Sequence, residues 1–304
     1  MAKFRYLTVD VFTDTPFGGN QLAVFPDARG IPEARLQDVC REFNYSETTF
    51  VYPAVDPANT RRVRIFTPGA ELPFAGHPTV GTAHVLAAIG DIALDGDVTR
   101  IVFEEGVGPV PISIRARDGV PVFVELTAAK LPEVGPPPPD RETVARLIGV
   151  GVDDLRADPW MPQSVSCGLP LLFVPLRDIA SVARARLSMD TWERTLKDAW
   201  AAEIFLFAEG GEREGSDIHA RMFAPALNIP EDPATGSACA ALAGYLAVRD
   251  SRRDGTLHWR VEQGFEMGRP SIIEAEADVT AGRVTAVRVG GGSVMMSEGL
   301  MEIA

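Results

Sequence analysis

A chain of 304 residues with 46% hydrophobic content is long enough to bury a large core and suggests two domains. Its 42 acids against 29 lysines and arginines give a net charge of -13 with no basic stripe, which argues against nucleic-acid binding. Three scattered cysteines suggest no disulfide framework, and four histidines with neither CxxC nor HExxH spacing suggest no metal centre. The sequence enters a strand pattern at once, with no signal peptide and no apolar run of membrane-spanning length, so a reduced cytoplasmic compartment without membrane partners is expected.

Residues 4–12 read as a strand, followed by the turn TDTPFGGN and a short strand at 22–25. Residues 31–43 predict a helix, with Pro32 near its start and an apolar stripe through Leu36, Val39 and Phe43. Strands are expected at 48–52 and 61–66, a helix of small apolar residues at 78–89, and a strand-rich stretch over 101–126 with Asp118-Gly119 as a tight hairpin turn. The segment PEVGPPPPD, residues 132–140, carries four consecutive prolines. Such a run can neither continue a helix nor sit in a central strand, so it marks the clearest boundary. Beyond it the pattern predicts a helix over 141–148, a strand over 171–176, a helical region around 178–200, and strands over 204–208 and 218–224. A second small-residue helix covers 237–248, and strands cover 257–264, 269–277 and 283–291. The last run is a further strand that either closes the second domain or returns to the first. The expected domains are 1–127 and 128–304, with residues 292–304 open to either.

No GxGxxG follows the first strand, and strands outnumber helices, which argues against a dinucleotide-binding fold. The two small-residue helices lack a charged face over much of their length, and a helix apolar all round belongs in a core. The expected fold class is α+β: two similar domains, each a curved mixed sheet or barrel around a central helix.

The similarity of the halves is written in the chain. RIFTPGAELPFAGHPTVGTAHVLA at 64–87 is echoed by RMFAPALNIPEDPATGSACAALAGYLA at 221–247. Arg64 matches Arg221, Phe66 matches Phe223 and Pro68 matches Pro225; after three extra residues Glu71 matches Glu231, Pro73 matches Pro233 and Gly76 matches Gly236. Each copy brings a glycine-containing turn to the N-terminus of a buried helix, where free N–H groups and the helix dipole attract a carboxylate. The plainer alternative is a pair of ordinary caps duplicated for folding.

His77 is the one histidine at such a helix mouth, where the dipole favours neutral imidazole. Asp232 precedes the second turn and is placed to orient a substrate group or join proton transfer, unless it is an Asp turn before Pro233. Ser237 suits either capping or substrate binding. Glu47 stands before a strongly apolar strand, where desolvation would lift a carboxylate into the acid/base range; an edge or capping glutamate is the alternative. Asn20, after two glycines, lines either a polar pocket or a plain turn. Glu231 and its copy Glu71 read as structural, Cys239 as inert core, and His84, His219 and His258 as packing or surface residues. Cys167 has no visible base, and no GxSxG elbow is present.

GGNQLAVF, SETTFV, RIFTPGAELPFAGHPTVGTA, EDPATGSA and EQGFEMGRPS together resemble the PhzF-like phenazine-biosynthesis isomerases, within the diaminopimelate epimerase-like superfamily. The resemblance covers most of residues 4–300. It implies two barrel-like domains around central helices with the site in the cleft between them, a homodimer, a small carboxylate-bearing substrate and no cofactor. It also implies that Glu47 is the main acid/base, that His77, Asp232 and Ser237 line and support the site as further catalytic residues, and that Gly76, Gly236 and Asn20 bind substrate. The related epimerases use two opposed cysteines where this chain has Ala75 and Thr235, so a two-thiol mechanism is not expected. A single-carboxylate proton shift on a compound such as trans-2,3-dihydro-3-hydroxyanthranilate is the expectation. The alternatives are isomerisation or epimerisation of another small carboxylate, and a non-catalytic carboxylate-binding protein.

Overall fold

In the computed structural model, which describes residues 2–304, the two duplicated segments fold alike, one in each of two units. The first unit comprises residues up to Ala129 together with Val289–Ala304, and the second is Lys130–Arg288.

In the first unit, β1 (Ala2–Val11) and β2 (Asn20–Phe25) form an antiparallel pair with Val11 opposite Asn20. One 3-10 turn leads into α1 (Leu36–Phe43), so the predicted helix starts tightly. It ends at Asn44 in the left-handed region and buries Leu36, Val39 and Cys40. β3 (Glu47–Tyr52) runs parallel to β2 with Leu22 opposite Glu47, and β4 (Arg61–Phe66) is antiparallel to β3. The short β5 (Glu71–Leu72) folds back on β4 and leads into α2 (Gly76–Ala88). β6 (Val98–Glu105), β7 (Gly108–Arg117) and β8 (Val120–Thr127) then form a meander. Its second turn has φ of 53° at Asp118 and 74° at Gly119, the pair of positive values that the Asp-Gly dipeptide supplies.

Every α2 residue from Gly76 to Ala87 is buried, and strands β1, β2, β3, β7 and β8 surround the helix. Its small residues are a consequence of that enclosure. A Cβ on Gly81 would come within 2.6 Å of Val11 Cγ2 and 2.7 Å of Leu22 Cδ2.

The second unit opens with β9 (Glu133–Val134), α3 (Arg141–Ile148) and β10 (Gln163–Ser166). Asp140 caps α3 by accepting from the Thr143 N–H. β11 (Pro170–Pro175) follows, then α4 (Ile179–Arg184) and α5 (Met189–Thr195), two short helices where one helical region was expected. They are separated because the Arg186 and Ser188 N–H groups donate to the Ile148 and Leu147 carbonyls, and Ser188 then caps α5. β12 (Glu203–Glu209) pairs with β13 (Ile218–Ala224), β14 (Ile229–Asp232) folds back on β13, and α6 (Gly236–Ala247) follows. β15 (Gly255–Gln263) returns parallel to β13, β16 (Ser271–Thr280) pairs antiparallel with β15, and β17 (Arg283–Gly291) leads back to the first unit. α6 packs against β10, β15 and β16, and Ser237 is its one residue that is not buried.

The final strand, β18 (Ser293–Ile303), pairs antiparallel with β1 along the whole of its length, from Ala2 opposite Ile303 to Val11 opposite Ser293.

The repeated Arg-x-Phe and Glu make the same clip twice. Arg64 Nε lies 2.7 Å from Glu71 Oε1, and Arg221 Nε lies 2.7 Å from Glu231 Oε1. Each guanidinium also covers the ring two residues on, at 5.2 Å for Phe66 and 4.9 Å for Phe223. The clip fastens β5 to β4 and β14 to β13, and so fixes the entry into each buried helix.

Candidate active site

Asn20 and Glu47 begin the parallel neighbours β2 and β3, and His77 lies in the first turn of α2. The loop before Asn20 is pinned from both sides. Buried Asp10 accepts from the Phe17 N–H at 2.8 Å, holding Phe17 at φ 68°. Gly19, at φ 64°, lies so close to the Val11 carbonyl that a Cβ would sit 2.3 Å from its oxygen.

His77 Nε2 lies 3.3 Å from Glu47 Oε2, with both side chains less than one-tenth exposed. The Asn20 amide nitrogen lies 3.3 Å from His77 Nδ1. With that amide donating to Nδ1, the ring proton is on Nε2, the nitrogen in contact with the Glu47 carboxyl, though the two are not aligned as a hydrogen bond. Burial pushes His77 down to about 3, against a smaller opposite pull from the Gln21 backbone, so the ring is neutral at pH 7. Ala75 precedes the helix and provides no side-chain cap. The Gly76 and His77 N–H groups, being the first of the helix, have no acceptor within it.

The second unit builds its helix mouth from different chemistry. Thr235, not Ser237, is the N-cap of α6, and its side chain does not cap the helix. The Thr235 hydroxyl donates instead to Asp232 Oδ2 at 2.5 Å. Gln263 holds both: its amide nitrogen donates to the Asp232 carbonyl at 2.7 Å and to Thr235 Oγ1 at 3.0 Å, and its oxygen accepts from the Thr235 N–H at 3.2 Å. The capping role considered for Ser237 therefore falls away, because Ser237 is the second residue of the helix and half-buried beside the first-turn N–H groups.

Asn20, Glu47, Gly76 and His77 are thus assembled within one unit, and Asp232, Gly236 and Ser237 within the other. Gln263 lies within the EQGFEMGRPS motif, where nothing in the sequence marks its hold on Thr235. All three cysteines are buried, with burial pushing Cys40 up to about 11, Cys167 to about 12 and Cys239 further. None is a thiolate at neutral pH. Among the described residues, no group of three or more His, Cys, Asp or Glu is placed to hold a metal ion, and no helix is long and apolar enough to cross a membrane.

Comparison with known proteins places the architecture in the diaminopimelate epimerase-like class of folds. The crystal structure of a Bacillus anthracis phenazine biosynthesis protein of the PhzF family superposes with a TM-score of 0.88 at 26% identity, covering 100% of both chains. The model of the family described as phenazine biosynthesis-like proteins matches residues 9–299, and the chain belongs to that PhzF-like family. An uncharacterised isomerase of Mesorhizobium japonicum is 38% identical over 100% of both chains. The trans-2,3-dihydro-3-hydroxyanthranilate isomerase of Pseudomonas aeruginosa is 34% identical over 97% of this chain and 98% of its own.

Proposed function

We propose that this protein is a cofactor-independent isomerase that relocates a proton on a small carboxylate-bearing substrate, with Glu47 as the acid/base. The observation that carries this reading is the buried contact at 3.3 Å between the Glu47 carboxyl and a neutral His77 ring at an uncapped helix mouth. Proton relocation needs one group that both takes and gives a proton, and a neighbour that steadies it without competing for the charge. His77 fits the second part because it stays neutral while its Nε2 lies in contact with the Glu47 carboxyl.

In the proposed step Glu47 removes a proton from one carbon of the substrate and returns a proton to another. The double bond shifts between them, and the substrate keeps its composition and oxidation level. The first-turn N–H groups at Gly76 are assigned to the substrate carboxylate, and those at Gly236 form a second anion-binding mouth of the same kind. Asn20 is assigned to the orientation of His77, and Asp232 and Ser237 are the polar groups of the Gly236 mouth. The N-cap residues Ala75 and Thr235 favour this mechanism over a two-thiol epimerisation, since alanine moves no proton and the Thr235 hydroxyl is committed to Asp232.

The similarity to the Pseudomonas aeruginosa enzyme makes trans-2,3-dihydro-3-hydroxyanthranilate the first substrate to try. The test is proton NMR in heavy water with wild type and Glu47→Gln. Deuterium incorporation and product from wild type alone supports the reading. Turnover by Glu47→Gln equal to wild type rejects Glu47 as the base. Inactivity of both rejects this substrate and sends the search to other small carboxylates.

A further inference from the structure

The duplication extends beyond the segment in which the sequence displays it. Arg64 matches Arg221, so Arg61 corresponds to Ile218 and Arg62 to His219. The parallel pairing places Arg61 opposite Phe103 and Arg62 opposite Glu104 in one unit, and Ile218 opposite Val261 and His219 opposite Glu262 in the other. The next residues, Glu105 and Gln263, are therefore equivalent. Their surroundings agree. Glu104 accepts from the Val55 and Asp56 N–H groups, as Glu262 does from those of Glu212 and Arg213. The glycines that follow, Gly106 and Gly264, press on Pro73 and Pro233, the matched prolines: an added Cβ would lie 2.7 Å from Pro73 Cα and 2.6 Å from the Pro233 oxygen.

Gln263 locks the mouth of α6 through Thr235 and Asp232. Glu105 reaches the mouth of α2 instead through Thr79, whose Oγ1 is 2.6 Å from Glu105 Oε1 and 2.8 Å from the carbonyl oxygen of Ala75, the N-cap. A hydroxyl has one proton. If Thr79 donates it to Ala75, the contact with Glu105 is a hydrogen bond only when the carboxyl carries a proton of its own. Glu105 is almost fully buried, and its Oε2 has no hydrogen-bond partner among the described residues. An ionised carboxylate in that position would be strongly penalised.

We propose that Glu105 is a positioning residue for His77, acting as a neutral acid through Thr79 and Ala75, in the same way that Gln263 acts as a neutral amide beneath α6. The role assigned to His77 rests on the isomerase reading above; the contact itself does not. On ionisation of Glu105 the Thr79 hydroxyl turns to the carboxylate, Ala75 loses that donor, and the turn carrying His77 relaxes.

The carboxyl that also reaches His77 is Glu47 on β3, 3.3 Å from Nε2; Asp10 on β1 is buried and accepts from the Phe17 N–H, and Glu125 on β8 is half-buried. The inward faces of β6 and β7 otherwise carry Thr99, Ile101, Phe103, Val110, Ile112 and Ile114. The titratable groups of α2 are His77 and His84, both held neutral by burial. On the remaining packed elements, Glu71 is tied to Arg64, Glu104 to backbone N–H groups, and Arg115 covers the Phe123 ring, while Arg100 and Arg117 lie on outward positions of β6 and β7.

The test is NMR on the full chain with ¹³C-labelled glutamate carboxyls and ¹⁵N-labelled histidine rings, from pH 6 to pH 10, on wild type, Glu105→Gln and Glu105→Ala. Burial lifts Glu105 to about 8, against the Thr79 hydrogen bond. Wild type should show the Glu105 carboxyl ionising near that value, above Glu203, which burial raises to about 7, with the His77 ring signals moving at the Glu105 midpoint. Glu105→Gln should lose the carboxyl signal and keep His77 at its neutral-pH position throughout, while Glu105→Ala displaces it at every pH. A Glu105 carboxyl already ionised at pH 6 overturns the proposal, as does a His77 signal that ignores its ionisation. Both readings come from wild type alone, so a variant that fails to fold leaves the test intact. Lack of turnover of trans-2,3-dihydro-3-hydroxyanthranilate would reject that substrate, turnover by Glu47→Gln equal to wild type would reject Glu47 as the base, and either outcome leaves these signals to judge Glu105.

Discussion

His77 Nε2 lies 3.3 Å from Glu47 Oε2 while burial keeps the imidazole neutral down to about pH 3. Between that value and the ordinary 6.5, the unfolded chain holds a proton on this residue and the folded chain does not. Stability should therefore rise with pH across the window and be lost as pH falls through it, by about 1.4 kcal/mol per pH unit for one proton. His84, lowered to about 4 by burial, adds a slope of the same sign. Urea unfolding between pH 4 and pH 7 should show a shallower rise for His77→Gln than for wild type. A His77 ring that titrates near 6.5 by NMR would contradict the placement.

Replacement of Glu47 by glutamine keeps the size and removes the proton carrier. Substrate binding measured by calorimetry should persist, while turnover falls by about 10²-fold or more, the usual contribution of a general acid/base. A matched loss of affinity and turnover would point to a binding role for the carboxylate instead.

Thr235→Val should destabilise the second unit although the side chain keeps its shape. The hydroxyl serves Asp232 and Gln263 at once, and its loss strips a buried partner from each. A buried polar group left without a partner costs about 1–3 kcal/mol. Thr235→Ser, which retains the hydroxyl, should recover most of the loss in thermal unfolding.

Arg64 and Arg221 make the same clip in different surroundings. Glu33 and Glu71 are 75% and 43% exposed, so Arg64→Met should cost about 1 kcal/mol or less. Arg221 is buried, with Glu231 only 18% exposed, and also donates to the Val182, Ala183 and Ala185 carbonyls. Arg221→Met should cost about 3–5 kcal/mol by breaking a buried pair. Equal losses in denaturant titrations would show that burial does not separate the two copies.

His219 should have the opposite pH signature from His77. Its ring lies 2.5 Å from Glu262 and 2.8 Å from Glu266. Burial opposes the charge, but the two carboxylates outweigh it and raise His219 to about 9. Its contribution is complete below pH 6.5 and disappears as pH rises through about 9. The stability difference between wild type and His219→Gln should therefore shrink across that window. A difference that stays constant would mean that the ring is neutral.

The duplicated halves were legible because Arg64, Phe66 and Glu71 and their copies make contacts that need those residue types. The buried helices were legible because Gly81 and its small neighbours leave no room for a charged face. The short strands were not. Glu71–Leu72 and Ile229–Asp232 lack alternation and lie among prolines; they are strands because β4 and β13 hold them. Gln163–Ser166 is similarly polar and is set by pairing with β11. Asn20, Glu47 and His77 stood out by their positions at element ends, and the structure brings these three together. Nothing in the sequence marks Glu105, and only the register of β6 against β4 reveals its counterpart.

The pairing of β1 with β18 sets an order of events during synthesis. Ala2 lies opposite Ile303, whereas the second unit, Lys130–Arg288, is continuous in the chain. The second unit can therefore fold as it leaves the ribosome, while β1 waits for β18, which follows that unit in the chain. Such long-range pairing is slow, because a large loop must close before any contact is gained. The nascent chain carries an open strand edge throughout that interval, and its exposure to aggregation is governed by how soon β1 and β18 meet.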